Sequence, residues 1–558
     1  MIAANAVPVE KPFRESGATS MKSVRELTYD LFRARGMTTI FGNPGSNELP
    51  FLHDFPADFK YILCLHEGVA LSMAEGYAQA SGKPALVNLH SAAGVGNAMG
   101  AMVNASVSHS PIVIVAGQQT RAMITLEAQL TNVDAAELPR PLVKWSFEPP
   151  RAQDVPAAIQ RAIDFASIPP CGPVLVSVPF DDWEAQAEDS GELLRNRSVR
   201  WSAAPADSLV DELAARLQRA MNPVLIVGAE VDAPGAFEAA VELAESCHMP
   251  VWIAPSPFRC PFPTGHRCFR GVLPFAIRRA SEELAGHDLI LVFGAPVFRY
   301  HQYVPGSYLP EGADLIAVTS DPGEAARAPT GQAIVADVGL TLKELSSRVK
   351  SSSWASSETS SRTMPDSRPR ATLGSESGAP FRAETLFDII EQIKTPETIM
   401  VNESTGNLAA FWSRVNFDRP GSFYFPAGGA LGFGIPAAIG VKLANPSRPV
   451  VGVIGDGSAN YAITGLWTAA RYRIPVVFFI LRNEEYAVLK WFAGVLKVSN
   501  LPGLDIPGID YCSIAQGYGV KAARVASRDE LISVFQKALA SQVPHLIEVP
   551  IQSIATPS

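Results

Sequence analysis

An apolar run, VVGVIG, ends in Gly455-Asp456-Gly457, and a second, IPVVFFILR, ends at Asn483, 27 residues beyond Asp456. Such runs read as buried strands, so the aspartate and the asparagine fall at the carboxyl ends of neighbouring strands, where open α/β sheets bind ligands. Glycines at the turn let backbone approach an anion, and free N–H groups at the start of the next segment can hold a phosphate. An aspartate, an amide oxygen and phosphate oxygens together suit Mg²⁺, a hard cation that takes octahedral oxygen ligands. Beyond the turn, Ile463, Leu466, Trp467 and Ala470 recur at helical spacing, which predicts an amphipathic helix with these residues on its buried stripe. Gly-Asp-Gly alone also fits an ordinary turn; the asparagine at this distance favours the ligand reading.

Elements able to present these residues run the length of the chain. Short Val- and Ile-rich stretches alternate with amphipathic segments, the pattern of parallel sheets covered by helices on both faces. One set of strands is expected at 84–91, 111–117 and 174–178, a second at 223–228, 250–254, 289–294, 314–318 and 333–337, and a third at 398–403, 449–457, 474–483 and 545–551. The expected fold class is α/β, with three doubly wound parallel-sheet domains over 21–190, 203–345 and 381–552. Residues 1–20 read as a disordered extension, with Met21 an alternative start, and 351–380, with ten serines, as a flexible linker.

Composition narrows the function classes. The 558 residues hold 46 Lys plus Arg against 55 Asp plus Glu, for a formal charge of −9, and no basic block able to follow a phosphate backbone, so nucleic acid is not an expected partner. No apolar run approaches the ~18 residues of a membrane helix. Six scattered cysteines make no disulfide framework, which points to a reducing cytoplasm. Cys260 and Cys268, with His266 between them, lack the spacing of a zinc site.

Other residues with chemical capacity are ambiguous alone. Glu67 opens EGVALSMAEGYAQA and reads as an acidic residue in a first helical turn. His90 and His301 could give and take protons near neutral pH, although a lone histidine at a strand end is usually a satisfied structural residue. Ser46 follows Asn-Pro-Gly as a turn serine and lacks the GxSxG elbow of a hydrolase. Leu431 in GGALGFG reads as a core leucine among glycines.

Taken in order, FGNPGSNELPFL (41–52), the glutamate of CLHEG, NLHSAAG (88–94), GAPVFRYHQY (294–303), VNEST, ALGFGIPAAIGV, the Gly-Asp-Gly turn with its distant asparagine, and KWFAGVL resemble thiamine-diphosphate-dependent 2-keto acid decarboxylases of the benzoylformate decarboxylase type, from about Met21 to Val549. One departure stands out: Arg482 occupies the place of the first Asn in that family's Asn-Asn pair. The resemblance implies thiamine diphosphate and Mg²⁺ (or Ca²⁺) as cofactors. It places the aminopyrimidine on the first domain and the diphosphate on the last, and leaves the middle domain without a cofactor role. It implies Asp456, Asn483 and the backbone carbonyl of Glu485 as metal ligands. Asn43, Thr405, Gly429, Leu431, Gly455, Gly457, Ser458, Tyr486, Ala487 and Val488 would complete the cofactor site, with Gly42 shaping the loop that carries Ser46.

By the same resemblance Glu67 activates the cofactor through its aminopyrimidine, Ser46 binds the substrate carboxylate, and His90 and His301 move protons. Gln129, Leu130, Phe425, Val488, Leu489 and Phe492 line the substrate pocket with Ser46. Gln129 stands where relatives have leucine, Val488 where they have alanine, and Pro426 where they have cysteine. A second, structural metal near Glu137, Leu138 and Arg140 stays open, because Glu137 replaces an asparagine. The implied reaction is non-oxidative decarboxylation of benzoylformate to benzaldehyde and CO₂ through a thiamine-diphosphate enamine, as in mandelate breakdown. The implied assembly is a homo-oligomer, a dimer at minimum and a tetramer by expectation. The alternatives are a carboligase of the acetolactate-synthase type, a decarboxylase of an aliphatic or branched 2-keto acid, and a non-catalytic cofactor-binding protein.

Overall fold

Runs of Val, Ile and Leu can bury both faces only inside a covered parallel sheet, and the computed structural model builds three such sheets. It describes residues 21–189, 191–201, 203–351 and 378–554; the extension expected at 1–20 and most of the linker expected at 351–380 lie outside these residues. The first sheet contains β1 (Thr39–Asn43), β2 (Lys60–Leu63), β3 (Ala85–Leu89), β4 (Ile112–Gln118), β5 (Trp145–Phe147) and β6 (Pro173–Pro179), in the order β2-β1-β3-β4-β6-β5. The second contains β7 (Pro223–Val227), β8 (Val251–Ile253), β9 (Phe269–Val272), β10 (Leu289–Phe293), β11 (Asp314–Thr319) and β12 (Gln332–Val335), in the order β12-β11-β10-β7-β8-β9. The third contains β13 (Ile399–Glu403), β14 (Phe423–Tyr424), β15 (Val450–Gly455), β16 (Val477–Arg482), β17 (Lys521–Arg524) and β18 (His545–Pro550), in the order β14-β13-β15-β16-β18-β17. All pairings within the sheets are parallel, the doubly wound arrangement expected. Among the described residues no helix is long and apolar enough to cross a membrane.

Every strand stretch read from sequence overlaps an observed strand. Six further strands, β1, β2, β5, β9, β14 and β17, had no such run to announce them. β14 and β5 are two and three residues long, and β17, KAAR, is a polar edge. The helix expected directly after Gly-Asp-Gly is divided. Asp456–Ala459 makes one turn, and the longer helix begins only at Gly465. Its buried face is Gly465, Leu466, Thr468 and Ala469, so of the expected stripe only Leu466 is fully buried. Ile463, which precedes the helix, and Trp467 and Ala470 within it are half-buried.

Two helices set the relation of the first sheet to the third. Glu67–Ser81 starts where the His66 ring accepts the Gly68 N–H at 3.1 Å and ends on left-handed Gly82. Gly434–Ala444 crosses it through glycines. A Cβ on Gly76 would lie 2.4 Å from the Ala437 carbonyl oxygen, and one on Gly440 would lie 1.9 Å from that of Met73. Only residues without a side chain allow backbones this close.

Glu75 is buried beside this contact, its Oε1 accepting from Gln79 Nε2 at 3.0 Å and Ser108 Oγ at 2.8 Å. Its Oε2 has no hydrogen-bond partner among the described residues. Burial pushes this carboxyl up to about 8 against the downward pull of those two hydrogen bonds. A folded pKa above the unfolded value means that the folded chain retains a proton the unfolded chain has released. The contribution is therefore fully present below the unfolded pKa and is lost as pH rises through the folded one. Glu75→Gln, which keeps the shape without the charge, is expected to raise Tm by about 2–4 °C near pH 9 and to change it little near pH 5; equal shifts at both pH values, in thermal melts followed by circular dichroism, would contradict this.

Candidate active site

The carboxyl edge of the first sheet gathers Asn43, Ser46, Glu67 and His90. Asn43 closes β1, and Ser46 opens the short turn Ser46–Glu48 that follows. Glu67 is the first residue of its helix and is buried, yet both its oxygens are held: Asn43 Nδ2 donates to Oε1 at 3.2 Å and Asn97 Nδ2 to Oε2 at 3.0 Å. His90 directly follows β3, and its Nδ1 lies 2.8 Å from Oε2 of Glu48, a carboxylate only 1% exposed. The Gly45 N–H donates to that same oxygen at 2.8 Å. Burial raises the Glu48 carboxyl above its ordinary range, while His90 and the Gly45 amide pull it down. Glycines leave the room this pair needs, since a Cβ on Gly45 would meet His90 Nδ1 at 2.2 Å and one on Gly117 would meet Glu48 Oε1 at 1.9 Å. With Nδ1 engaged by the carboxylate, Nε2 is the nitrogen left for chemistry. Ser91 Oγ donates to the Leu130 carbonyl at 2.6 Å and Gln119 Nε2 to that of Gln129 at 2.9 Å, which ties the segment carrying both residues to this edge.

The carboxyl edge of the third sheet gathers the second group. Asp456 Oδ1 accepts from its neighbour Gly457 N–H at 2.8 Å; Oδ2 accepts from Asn483 N–H at 2.9 Å and Glu484 N–H at 2.7 Å. Burial raises the Asp456 carboxyl against these three amides and nearby Arg482. Tyr511 Oη and Asn460 Nδ2 hold the Asp456 carbonyl at 2.9 and 3.0 Å. Asn483 Oδ1 accepts from Glu485 N–H at 3.3 Å, and Glu484 between them adopts a left-handed φ of 59°. Arg482, the departure from the family pattern, is drawn toward carboxylates, with Glu484 beside it and Glu548 3.5 Å from its Nε. A Cβ on Gly457 would meet the Tyr486 ring at 2.6 Å, so glycine keeps the strand end open. The buried carboxylate, the amide side chain and the glycine-flanked turn form a donor set that fits a hard divalent cation carrying a diphosphate. Ser458 and Ala487 are buried beside them.

The loop carrying Gly429 and Leu431 is held from two sides. Glu403, at the end of β13, accepts from Gly432 at 2.7 Å, Phe433 at 3.1 Å and Gly434 at 2.7 Å, and burial pushes its carboxyl up to about 7 against these amides. From the first unit, Asn104 Nδ2 donates to the Ala430 carbonyl at 2.8 Å while its Oδ1 accepts from Gly428 at 3.0 Å. Gly429 itself has a left-handed φ of 76°. Thr405 opens the turn after Ser404, and the neighbouring Gly406 packs on Val488, whose Cγ2 would be 3.3 Å from a Cβ there. Phe425 donates its N–H to the Phe258 carbonyl at 3.1 Å, a contact to the central unit. His301, from that unit, sits between Phe275 and Phe492, with ring centroids 5.9 and 5.0 Å away.

The site residues thus divide. Asn43, Ser46, Glu67, His90, Gln129 and Leu130 share one edge; Val488, Leu489, Phe492 and the Asp456–Asn483–Glu485 cluster share another, which His301 of the central unit meets through Phe492. Among the described residues no hydrogen bond, ion pair or ring contact joins His90 or Glu67 to the second group. Glu137, from the open second-metal segment, pairs with Arg140 at 3.0 Å. Cys260 and Cys268 are buried free thiols, and His266 Nε2 faces Glu245 at 3.2 Å. Sequence reading missed Glu48, Asn97, Asn104 and Glu403. None carried a local signal: Glu48 stands three residues after Gly45, but a glycine has no side chain to complete a capping box.

The family models described as Thiamine pyrophosphate enzyme, N-terminal TPP binding domain, central domain, and C-terminal TPP binding domain match residues 22–138, 210–345 and 404–549. The chain is 57% identical over 534 residues to a benzoylformate decarboxylase from Pseudomonas aeruginosa, covering 96% of this chain and 100% of that protein. It is 27% identical over 537 residues to an acetolactate synthase large subunit from Haemophilus influenzae, covering 92% of this chain and 91% of that one. Among solved structures, a thiamine diphosphate-dependent 4-hydroxybenzoylformate decarboxylase from Rhodococcus jostii RHA1 superposes with a TM-score of 0.92 at 53% identity, covering 96% of this chain and 100% of that one. A benzoylformate decarboxylase from Polynucleobacter necessarius gives 0.89 at 37% identity, with 96% and 100% covered. With three matched domains that span both sheet edges described above, the chain belongs to the thiamine pyrophosphate enzyme family.

Proposed function

We propose that this protein decarboxylates an aromatic 2-keto acid, converting benzoylformate to benzaldehyde and CO₂, with thiamine diphosphate and Mg²⁺ (or Ca²⁺). The observation that carries this reading is His90 tethered by buried Glu48 beside a Glu67 whose two oxygens are both held. Apolar Phe425, Phe492, Leu489 and Leu130 favour an aromatic substrate, as do the named activities of the similar proteins.

When bound, thiamine diphosphate supplies the electron sink for the pair left behind as CO₂ departs. Glu67 presents its carboxyl to the aminopyrimidine, with Asn43 and Asn97 fixing its direction. Asp456, Asn483 and the Glu485 carbonyl would hold the cation, and Gly455, Gly457, Ser458, Tyr486 and Ala487 would take the diphosphate. Leu431 supports the aminopyrimidine side from a loop fixed by Glu403, together with Thr405 and Gly429. Ser46 binds the substrate carboxylate. His90 Nε2 would deliver a proton to the carbon from which CO₂ has left, and His301 would exchange one with the substrate's carbonyl oxygen. Val488 and Gln129 set the width and polarity of the pocket.

The division of these residues between two edges supports a site assembled from two copies, a dimer at minimum and a homotetramer by our reading. Apolar side chains stand exposed on both sides. The Ala487–Leu496 helix is AVLKWFAGVL, yet Leu489 is 50% and Leu496 67% exposed, and near the other edge Leu126 is 71% exposed. Exposed apolar surface of this kind marks interfaces.

The direct test is CO₂ release from the protein with thiamine diphosphate and Mg²⁺, comparing benzoylformate with pyruvate and branched-chain 2-keto acids. Benzoylformate is expected to be preferred, and Glu67→Gln to lower kcat/KM by about 10²–10⁴-fold. Preference for an aliphatic acid would overturn the substrate class, and a 2-hydroxy ketone as main product would favour carboligation. Loss of the charge-assisted bond to His90, about 1.5–3 kcal/mol, predicts that Glu48→Gln lowers kcat about 10- to 150-fold while thiamine diphosphate affinity is kept. An unchanged kcat would remove Glu48 from the mechanism. Trimming Val488 to alanine is expected to improve benzoylformate relative to pyruvate by about tenfold or more in kcat/KM, and an unaltered ratio would clear Val488 of a part in specificity.

A further inference from the structure

Three metal-ligating side chains meet away from both sheet edges that carry the site, where the turn after the Ser91–Val107 helix touches the central unit. His109 lies in that turn with a left-handed φ of 52°. Its Nδ1 is 3.2 Å from the Cys171 carbonyl oxygen. A carbonyl only accepts, so Nδ1 carries hydrogen, and in the neutral ring the Nε2 lone pair faces the central unit. There Nε2 stands 3.7 Å from Asp321 Oδ2 and 3.8 Å from Glu324 Oε1, and one ligand atom from each of the three residues lies within 4.8 Å of the others.

Two of the three are also held from behind, His109 by the Cys171 carbonyl and Asp321 by backbone amides. Asp321 Oδ1 accepts from Gly323 N–H at 2.7 Å and Glu324 N–H at 3.3 Å. Oε2 of Glu324, a buried residue, is 3.5 Å from Thr319 Oγ1, which itself donates to Glu230 at 2.9 Å. His109 and Asp321 therefore each turn one atom to a common centre while the other polar atom is engaged, the way outer partners orient metal ligands. Ligand atoms around tetrahedral zinc stand about 3.3–3.5 Å apart, so each imidazole–carboxylate edge needs to close by only a few tenths of an ångström. Arg327 is the cation now nearest Glu324 Oε1, at 3.4 Å, and its side chain is 63% exposed, free to turn outward. His109 and Glu324 also line a cleft of about 50 Å³ with Glu230 and Arg299, which leaves room for water as a further ligand.

We propose that His109, Asp321 and Glu324 form a binding site for a divalent transition metal of the zinc class, fastening the first unit to the central one. One imidazole with two carboxylates suits Zn²⁺ and its neighbours. The test uses the full chain loaded with thiamine diphosphate and excess Mg²⁺, titrated with Zn²⁺ and in parallel with Co²⁺, beside Asp321→Asn and Glu324→Gln. The wild type is expected to take up one more Zn²⁺ per chain than either variant, at least about tenfold more tightly. Co²⁺ should give it a visible absorption band that both variants lack, and Zn²⁺ should raise the Tm of the wild type alone. Equal uptake by all three proteins would overturn the proposal. So would no uptake by the wild type together with a His109 resonance that titrates as a simple ion pair with the two carboxylates. The variants alter different carboxylates, so either one that folds decides the matter.

Discussion

A crossing of two backbones through glycine fixes much of this molecule. Gly76 on one helix and Gly440 on the other bring main chains together where any Cβ would stand 1.9–2.4 Å from a carbonyl oxygen. The first of these helices starts at Glu67; the second starts at Gly434, three residues after Leu431. One steric constraint thereby aligns the residue expected to activate the cofactor and the loop expected to support it. A side chain at either glycine would have to part the helices, moving both sheet edges at once.

Buried carboxylates do the finer positioning. Glu48, Glu403 and Asp456 are all nearly inaccessible, and all take backbone N–H groups as partners. A buried carboxylate is costly without such donors, so each is set on a glycine-rich or sharply turned segment whose amides can converge. Glu403 collects three successive amides at the start of a helix, where the helix dipole also favours negative charge. The cost is visible in the upward shifts of all three groups, for which burial is the largest cause. What these carboxylates obtain is direction: an imidazole, a loop and a strand end, each held in one orientation.

Much of this was legible in the residues. Fully buried strands such as β7 and β10 are continuous apolar runs, β4 and β16 are apolar up to their last residue, and the sheets could be read from them. β1 could not, because it ends in Gly42 and Asn43, residues placed for the site rather than for the core. Glu67, His90, Asp456 and Asn483 sit in motifs with local spacing. Their partners do not: Glu48 reaches His90 across 42 positions, Asn97 reaches Glu67 across 30, and Asn104 reaches Ala430 across 326. Such pairs exist only once the chain has folded, and a buried glutamate looks in sequence like any exposed one. The helix break between Ala459 and Gly465 was equally hidden, since apolar periodicity carries through it.

The central claim is that a working site joins the first unit of one copy, with Glu67 and His90, to the last unit of another, with Asp456 and Asn483. Subunit complementation tests it most directly. Glu67→Gln and Asp456→Asn chains, each inactive alone, are coexpressed and the mixed assemblies are purified. Sites shared between copies predict recovery of about half of wild-type decarboxylation per chain in the purified mixed dimers, because each has one of its two sites with both residues intact. Mixed assemblies that form but stay inactive would contradict the account, for each chain would then have to supply both residues to its own site.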